Sequence, residues 1–217
     1  KCSACSRVYL PEYMWETFKE KMENKKDELY QRFTSQELNY GVINEEAFLK
    51  GQLTVQKVIE DKETELVFGG SFNNQTQYFM EPCMIKCENP DNSVFHNEYF
   101  LPLLSVYTYK PEDKKETMKI CQRNRNNYSL TGAIFSKDEE FIREANEEFK
   151  YSAGNFYIND KPTGAVVAQQ PFGGARASGT NDKAGGPLNL LRWISPRSVK
   201  RNEIEIHDWT YPFMGEK

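Results

Sequence analysis

The sequence predicts an α/β fold: a mostly parallel, open β-sheet with flanking helices. Between Leu103 and Ile158, short apolar runs alternate with segments whose apolar residues recur at helical spacing. Such alternation with short connections is typical of βαβ units, which build parallel sheets. A chain of 217 residues with 38% hydrophobic content can also bury a core of its own. Because ligands bind at the carboxyl ends of the strands in such sheets, we expect a site there.

The first half of the chain predicts two amphipathic helices between short strands. A strand at Arg7–Leu10 is expected to end at Pro11, which suits the first turn of a helix. The second helix is expected to begin after Asn44 as its N-cap. The apolar positions are Trp15, Phe18, Met22, Leu29 and Phe33 in the first helix and Phe48, Val55, Val58 and Ile59 in the second. We interpret these residues as core.

Further strands are predicted by apolar runs that turn residues interrupt. They are Glu65–Phe68, stopped by Gly69 and Gly70; Met80–Cys87; Leu103–Tyr109; Leu130–Phe135; and Asn155–Ile158. Two helices are predicted between the last three strands, one from Pro111 to about Asn126 and one that Ser136 and Glu139 begin with a capping box. Phe141, Ala145 and Phe149 would line the buried face of the second.

Charge and composition exclude several classes of partner. The chain carries 28 Lys and Arg against 32 Asp and Glu, with the two signs mixed along the helices, so no basic face for nucleic acid is expected. No apolar run approaches the roughly 20 residues of a membrane span, and no membrane partner is expected. Five cysteines at irregular spacing favour a reducing compartment over a disulfide framework.

The segment Pro171–Pro187 (PFGGARASGTNDKAGGP), called the glycine loop below, predicts a binding loop. It contains five of the thirteen glycines, and glycine tolerates positive φ and close approach to a ligand. A flexible linker is the alternative, although Phe172 and Arg176 are unusual in linkers. Gly174 and Gly179 have Walker A spacing, but Thr180 replaces the phosphate-binding lysine, so the ligand is not expected to be a nucleotide phosphate.

The pair Cys2 and Cys5 has C-x-x-C spacing, which suits zinc, a redox pair or a single nucleophile. Zinc needs more ligands than this chain offers, and no metal site is predicted. The other candidate ligands are His96, His207, Cys83 and Cys87. A nucleophilic thiolate at Cys2 is the stronger functional interpretation, and a buried, inert cysteine is the alternative.

Several motifs together resemble the catalytic half of the aldehyde dehydrogenase family. Cys2 precedes Arg7 by five residues, as in the family's C-x-x-x-x-R motif, and Asn97–Pro102 (NEYFLP) resembles its E-E-x-F-G-P motif. The most specific matches are Phe156–Lys161, Gln169–Lys183, Leu191–Trp193 and Asp208–Trp209. They indicate the branch of the family that acts on glutamate semialdehyde, and the resemblance covers nearly the whole chain.

The resemblance implies an NAD-dependent oxidation of L-glutamate γ-semialdehyde to L-glutamate in proline catabolism, in the mitochondrial matrix. Cys2 would be the catalytic nucleophile that forms a thioester, and its backbone N–H would be an oxyanion donor. The substrate carboxylate would bind Ser3, Gly174 and Ala175. The cofactor NAD would contact Glu98 and Phe100 through its nicotinamide ribose.

The sequence also departs from the family's pattern. Asn97 replaces the first Glu of the motif, Leu101 replaces its Gly, and Ala184 stands where Pro is usual. Leu101 is expected to crowd the ribose contact. Since the chain begins with Lys1, we expect it to be part of a longer protein whose NAD-binding domain lies outside it, and we expect this part alone to be inactive. A non-catalytic structural or interaction subunit is the alternative.

Two regions are expected: a catalytic domain over residues 1–193 and an oligomerisation tail over 194–217. The last nine residues include an apolar cluster of Trp209, Tyr211, Pro212, Phe213 and Met214. A free terminus is usually polar, so this cluster needs a cover. The family resemblance favours a homodimer in which the tail reaches the partner subunit, and packing against its own domain is the alternative.

Overall fold

The computed structural model describes residues 1–34, 41–73 and 78–215 and confirms the α/β class. The strands are β1 (Arg7–Pro11), β2 (Thr64–Phe68), β3 (Phe72–Asn73), β4 (Phe79–Met80), β5 (Cys83–Cys87), β6 (Leu103–Tyr109), β7 (Tyr128–Ser129), β8 (Thr131–Ile134), β9 (Asn155–Ile158) and β10 (Ala175–Arg176). The helices are α1 (Trp15–Thr34), α2 (Glu45–Glu60), α3 (Lys114–Gln122), α4 (Glu139–Glu148) and α5 (Pro187–Leu190).

The main sheet has the strand order β1-β6-β5-β2. β1 and β5 are both parallel to the central strand β6, and β2 is an antiparallel edge strand. β8 and β9 form a separate parallel pair, joined through α4 as the βαβ alternation predicted. The parallel strands are therefore divided between two sheets. Two further pairs of strands, β3 with β4 and β7 with β10, are antiparallel, and an isolated bridge joins Phe172 to Ala184.

Helices α2 and α1 cover opposite faces of the main sheet. On one face, Phe48, Val55 and Val58 of α2 pack with alternate residues of β5, Cys83 and Ile85. On the other face, the Lys86 ammonium lies 5.3 Å from the centre of the Trp15 ring of α1. The α2 positions are core as predicted, except that Ile59 is exposed.

The apolar stripe of α1 is only partly covered. Trp15, Phe18 and Met22 are half-buried and Leu29 is exposed, while the side chain of Phe33 lies outside the described set. The interpretation of the whole stripe as core is therefore wrong for Leu29, and the other three described positions are core only in part.

A second, smaller core surrounds the β8–α4–β9 unit. Met118 of α3, Ile134 of β8 and Ala145 of α4 are buried together, with Phe141 and Phe149 packed at the margin. A Lys114–Glu144 ion pair of 2.7 Å and a Gln122–Glu148 hydrogen bond of 2.7 Å join α3 to α4. These partly or fully exposed pairs add little free energy of folding, so the aromatic packing contributes most to holding the layer together.

Local side-chain chemistry explains where the elements begin and end. Asn44 caps α2 as predicted, accepting from the Ala47 N–H at 2.9 Å. The predicted capping box at Ser136 is wrong, because Asp138 accepts the first N–H groups of α4 and Ser136 supports Asp138. Pro11 ends β1 as predicted and is the N-cap of a short 3-10 helix, Glu12–Met14, which leads directly into α1.

Two predicted elements are shorter in the structure. The helix expected to reach Asn126 ends at Gln122, because the Asn124 side chain bonds both the N–H and the C=O of Tyr128 and so closes a turn. The strand expected over Met80–Cys87 is divided into β4 and β5 at Pro82, which has no N–H to donate.

The glycine loop is held against the start of β9. The Asn155 side chain donates to the Pro171 carbonyl at 3.0 Å and accepts from the Gly173 N–H at 3.1 Å. The Lys183 ammonium donates to the Gly154 carbonyl. The backbones approach so closely that a Cβ added at Gly154 would overlap the Gly173 carbonyl oxygen. Gly154 is therefore required for the loop to dock.

The substitution Gly154→Ala is expected to lower the free energy of unfolding by about 2–3 kcal/mol, because the new methyl group displaces the docked loop. Urea unfolding followed by circular dichroism measures this change. Gly132→Ala in β8 is the matched control, since its added Cβ would lie 3.5 Å from the Ala153 Cβ in ordinary contact. Equal midpoints for the two variants would contradict the close approach at Gly154.

Candidate functional site

Two of the predicted site segments begin at the same edge of the main sheet. Residues Cys2–Ser6 lead directly into β1, and Glu98–Pro102 lead into the neighbouring strand β6. The two strands start in register, with Arg7 opposite Ser105 and the Ser105 N–H donating to the Ser6 carbonyl at 3.0 Å. The segments therefore meet at the amino ends of β1 and β6. The segment that follows the carboxyl end of β9, where the sequence predicts a ligand site, contributes Thr163 to this region through its contact with Ser3.

The two N-terminal cysteines differ in their surroundings. Cys2 is exposed in a turn that the Ala4 N–H closes on the Lys1 carbonyl at 3.3 Å. The Cys5 thiol donates to the Arg7 carbonyl at 3.4 Å, and burial raises the pKa of that thiol. Both cysteines are exposed at the surface, but the raised pKa of the Cys5 thiol makes it the poorer thiolate, which favours Cys2 as the nucleophile of the pair. Among residues 1–34, 41–73 and 78–215, no three His, Cys, Asp or Glu side chains form a metal-binding group.

Ser3 connects the nucleophile segment to the chain after β9. Its side chain is buried, and its hydroxyl is 2.8 Å from the Thr163 hydroxyl. Gly164 follows with a φ of 95°, a left-handed conformation that glycine adopts without strain. This contact brings Thr163 and the turn at Gly164 to the residue that follows Cys2 in the chain.

Thr163 and Gly164 are site residues that the sequence interpretation missed. The pattern Pro162-Thr163-Gly164 comes four residues after the end of β9, and Pro and Gly together are typical of a turn. That pattern could have indicated a binding loop. The site was predicted in the glycine loop instead, because that segment contains more glycines.

The structure places Gly174 and Ala175 inside the packed glycine loop. Gly174 is buried and has no room for a side chain, because an added Cβ would lie 2.6 Å from the Ser178 Cβ; Ala175 pairs with Ser129. Across the described part of the chain, no hydrogen bond joins either residue to Cys2 or Ser3. The assignment of these two residues to the substrate carboxylate stays a prediction. Several of the loop's glycines are explained by its own close packing.

Glu98 and Phe100 present an exposed carboxylate and an exposed ring beside the start of β6. Phe100 is 65% exposed and has a φ of 56°, which turns its ring away from the core. A carboxylate accepts hydrogen bonds from a pair of sugar hydroxyls, and the ring offers an apolar wall, so both residues fit the ribose of NAD.

The Leu101 side chain packs into the core rather than toward the cofactor segment. It belongs to the cluster around α2, where an added Cβ at Gly51 would lie 2.9 Å from its Cδ2 and 2.8 Å from the Met80 sulfur. Gly51 therefore makes room for Leu101. The expected crowding of the ribose contact by this leucine is not what the structure shows.

Known proteins resemble this chain in sequence over nearly its whole length. The sequence model of the aldehyde dehydrogenase family matches residues 1–199. Mitochondrial delta-1-pyrroline-5-carboxylate dehydrogenase of Bos taurus is 40% identical over 223 residues, which cover 99% of this chain and 38% of the bovine sequence. The protein of that name from Dictyostelium discoideum is 42% identical, with the same coverage. The chain thus spans 38% of the length of these relatives.

Solved structures agree with the sequence matches. The delta-pyrroline-5-carboxylate dehydrogenase of Mycobacterium tuberculosis is 38% identical with a TM-score of 0.82, covering 99% of this chain and 40% of that one. A structure of that enzyme bound with NAD has a TM-score of 0.75. A betaine aldehyde dehydrogenase of Staphylococcus aureus has a TM-score of 0.77 at 21% identity, which shows a shared fold. From its motifs, its fold and these matches, the chain belongs to the aldehyde dehydrogenase family.

Proposed function

We propose that this chain forms the nucleophile-bearing part of an NAD-dependent dehydrogenase that oxidises L-glutamate γ-semialdehyde, derived from 1-pyrroline-5-carboxylate, to L-glutamate. The observation that carries the proposal is the hydrogen bond between Ser3 and Thr163 directly beside the exposed Cys2. It supports an arrangement in which donors for an anion lie near the nucleophile, as an aldehyde with a carboxylate at its other end requires. The names of the relatives support the same substrate.

Cys2 performs the covalent chemistry in this proposal. Its thiolate attacks the aldehyde carbon and forms the C–S bond, and the Cys2 backbone N–H donates to the oxygen that becomes negatively charged. Glu98 and Phe100 would hold NAD, which would supply the acceptor for the hydride of this carbon. The thioester on Cys2 is then hydrolysed by water, which releases glutamate and returns the thiol.

The substrate carboxylate binds the hydroxyls of Ser3 and Thr163 and the backbone around Gly164. Hydroxyl and backbone N–H donors in a glycine turn suit a carboxylate because their charge-assisted bonds are strong. The family resemblance supports Gly174 and Ala175 as donors instead, and the two assignments differ in which side chain controls selectivity. On the cofactor side, Glu98 would accept from the ribose hydroxyls and Phe100 would pack against the ribose.

A mitochondrial location, and within it the matrix, fits this activity. The relatives from Bos taurus and Dictyostelium discoideum are named mitochondrial. All five cysteines of the chain are free thiols, which is typical of a reducing compartment. No helix among the described residues has the length and apolar content to cross a membrane.

We further propose that residues 1–193 form the catalytic domain and that residues 194–217 form a tail that binds a second copy of the chain. Every described residue of the tail is exposed, including Trp209 at 80% and Phe213 at 79%. Packing of the tail on its own domain is therefore wrong for the described residues. A partner subunit in a homodimer would bury these rings.

Cys2→Ser is expected to abolish turnover of glutamate semialdehyde in the complete protein, because a serine hydroxyl has neither the acidity nor the polarizability of a thiol. The matched control is Cys5→Ser, which removes only a thiol bonded to the Arg7 carbonyl and should leave most of the activity. Steady-state formation of NADH measures both. Equal loss in the two variants would point to a dithiol, and full activity of Cys2→Ser would support a non-catalytic role for this residue.

Thr163→Val is expected to lower kcat/KM for glutamate semialdehyde about tenfold to hundredfold, because one hydrogen bond to a charged group is lost. Turnover of propanal, which has no carboxylate, should stay unchanged. Thr180→Val in the glycine loop is the control, since the Thr180 hydroxyl bonds Asp182 at 2.5 Å. If Thr163→Val leaves the selectivity between the two aldehydes as it was, Thr163 is not an anchor and Gly174 with Ala175 remains the assignment.

Deletion of Asp208–Lys217 is expected to convert a dimer into a soluble but less stable monomer, because the exposed rings lose their cover on the partner. Light scattering after size-exclusion chromatography measures the mass. The double substitution Trp209→Ser and Phe213→Ser should have the same effect with the backbone intact. Tyr13→Ser, at a ring that is 73% exposed outside the tail, should leave the dimer unchanged. A truncated protein that stays dimeric would contradict the proposal.

A further inference from the structure

At the carboxyl ends of β1 and β6, the chain continues to helices on opposite faces of the main sheet. After β1 the chain enters α1, whose Trp15 packs on the face that carries Lys86. After β6 the chain enters α3, whose Cys121 lies near Tyr9 and Tyr109 on the other face of the sheet. Neighbouring parallel strands with helices on opposite faces leave a crevice between them, where α/β proteins bind ligands.

A crevice of about 310 Å³ lies at this point. Its lining is mainly polar: the rings of Trp15, Tyr107 and Tyr109 lie among charged groups from β5 and from the segments that follow β1, β5 and β6. The volume is within the range of small-molecule pockets. It is remote from Cys2, because the seven residues of β6 separate the two edges of the sheet by roughly 20 Å.

The charges in the crevice are only partly neutralised by one another. Lys86 pairs with Glu88 at 2.6 Å and lies over the Trp15 ring, so the charges of Lys86 and Glu88 neutralise each other. Glu12, Lys110 and Asp113 also line the crevice, and no ion pair involves any of them within the described ranges. Two carboxylates and one ammonium group therefore remain for a ligand.

We propose that this crevice binds a free basic amino acid, a molecule with two ammonium groups and one carboxylate on a short alkyl chain. The two ammonium groups bind Glu12 and Asp113, and the ligand carboxylate binds Lys110, so each unpaired charge meets its opposite. The alkyl chain packs along Trp15 and Tyr109. This site is separate from the proposed Cys2 chemistry and does not depend on it.

Isothermal titration calorimetry of the protein with L-lysine and L-ornithine tests the proposal. Both are expected to bind saturably with one site per chain. L-norleucine, which has the same backbone as lysine but no side-chain ammonium, should bind at least about tenfold more weakly, because one charged hydrogen bond is missing. Diaminopentane, which lacks the carboxylate, should also be weaker by about tenfold.

Two variants test whether lysine binds in this crevice. Asp113→Asn should weaken lysine binding about tenfold without unfolding α3, since the Asp113 side chain makes no capping hydrogen bond. Glu140→Gln, a change at a carboxylate whose side chain is 84% exposed on α4, should bind lysine normally. Cys2→Ser should also bind lysine normally, so failure here is separable from failure of the proposed catalysis. Absence of saturable lysine binding, norleucine binding as tight as lysine, or an unaffected Asp113→Asn would each overturn the proposal.

Discussion

The parallel pairing of β1 with β6 is the constraint on which the site depends. Because Arg7 lies opposite Ser105, the residues that precede the two strands must start side by side. One of these segments carries Cys2 and the other carries Glu98 and Phe100. The same pairing sets the opposite edge, where the departing chains separate and leave the crevice. Both proposed sites are thus consequences of one strand register.

A second constraint is the docking of the chain that follows β9. Ser3 contacts Thr163 on one side, while Asn155 holds the glycine loop at Pro171 and Gly173 on the other. Close backbone contact at Gly154 makes this docking sensitive to a single methyl group. The loop is therefore a packed support, and its glycines permit approach between protein segments. This explains why a ligand-binding pattern and a packing pattern look the same in sequence.

Local sequence patterns predicted most helices and strands. They could not predict contacts between segments that are far apart in the sequence. Helical periodicity found α2 and its Asn44 cap, and apolar runs found β6 and β9. Periodicity could not show that α1 stays half-covered, because the residues that cover a helix face come from distant parts of the sequence. Likewise, nothing near Ser3 in sequence indicates Thr163, which is 160 residues away. Leu101 looked like an obstacle to the cofactor because its partner Gly51 lies in a different helix.

The central proposal is that the substrate becomes covalently attached to the Cys2 sulfur while Ser3 and Thr163 bind its carboxylate. The most direct measurement is acid quenching of the complete protein during turnover of glutamate semialdehyde with NAD, followed by peptide mass spectrometry. The account predicts one glutamyl group on the peptide that contains Cys2, located on that residue by fragmentation. A glutamyl group on Cys5, or product formation with Cys2 never modified in rapidly quenched samples, would contradict it.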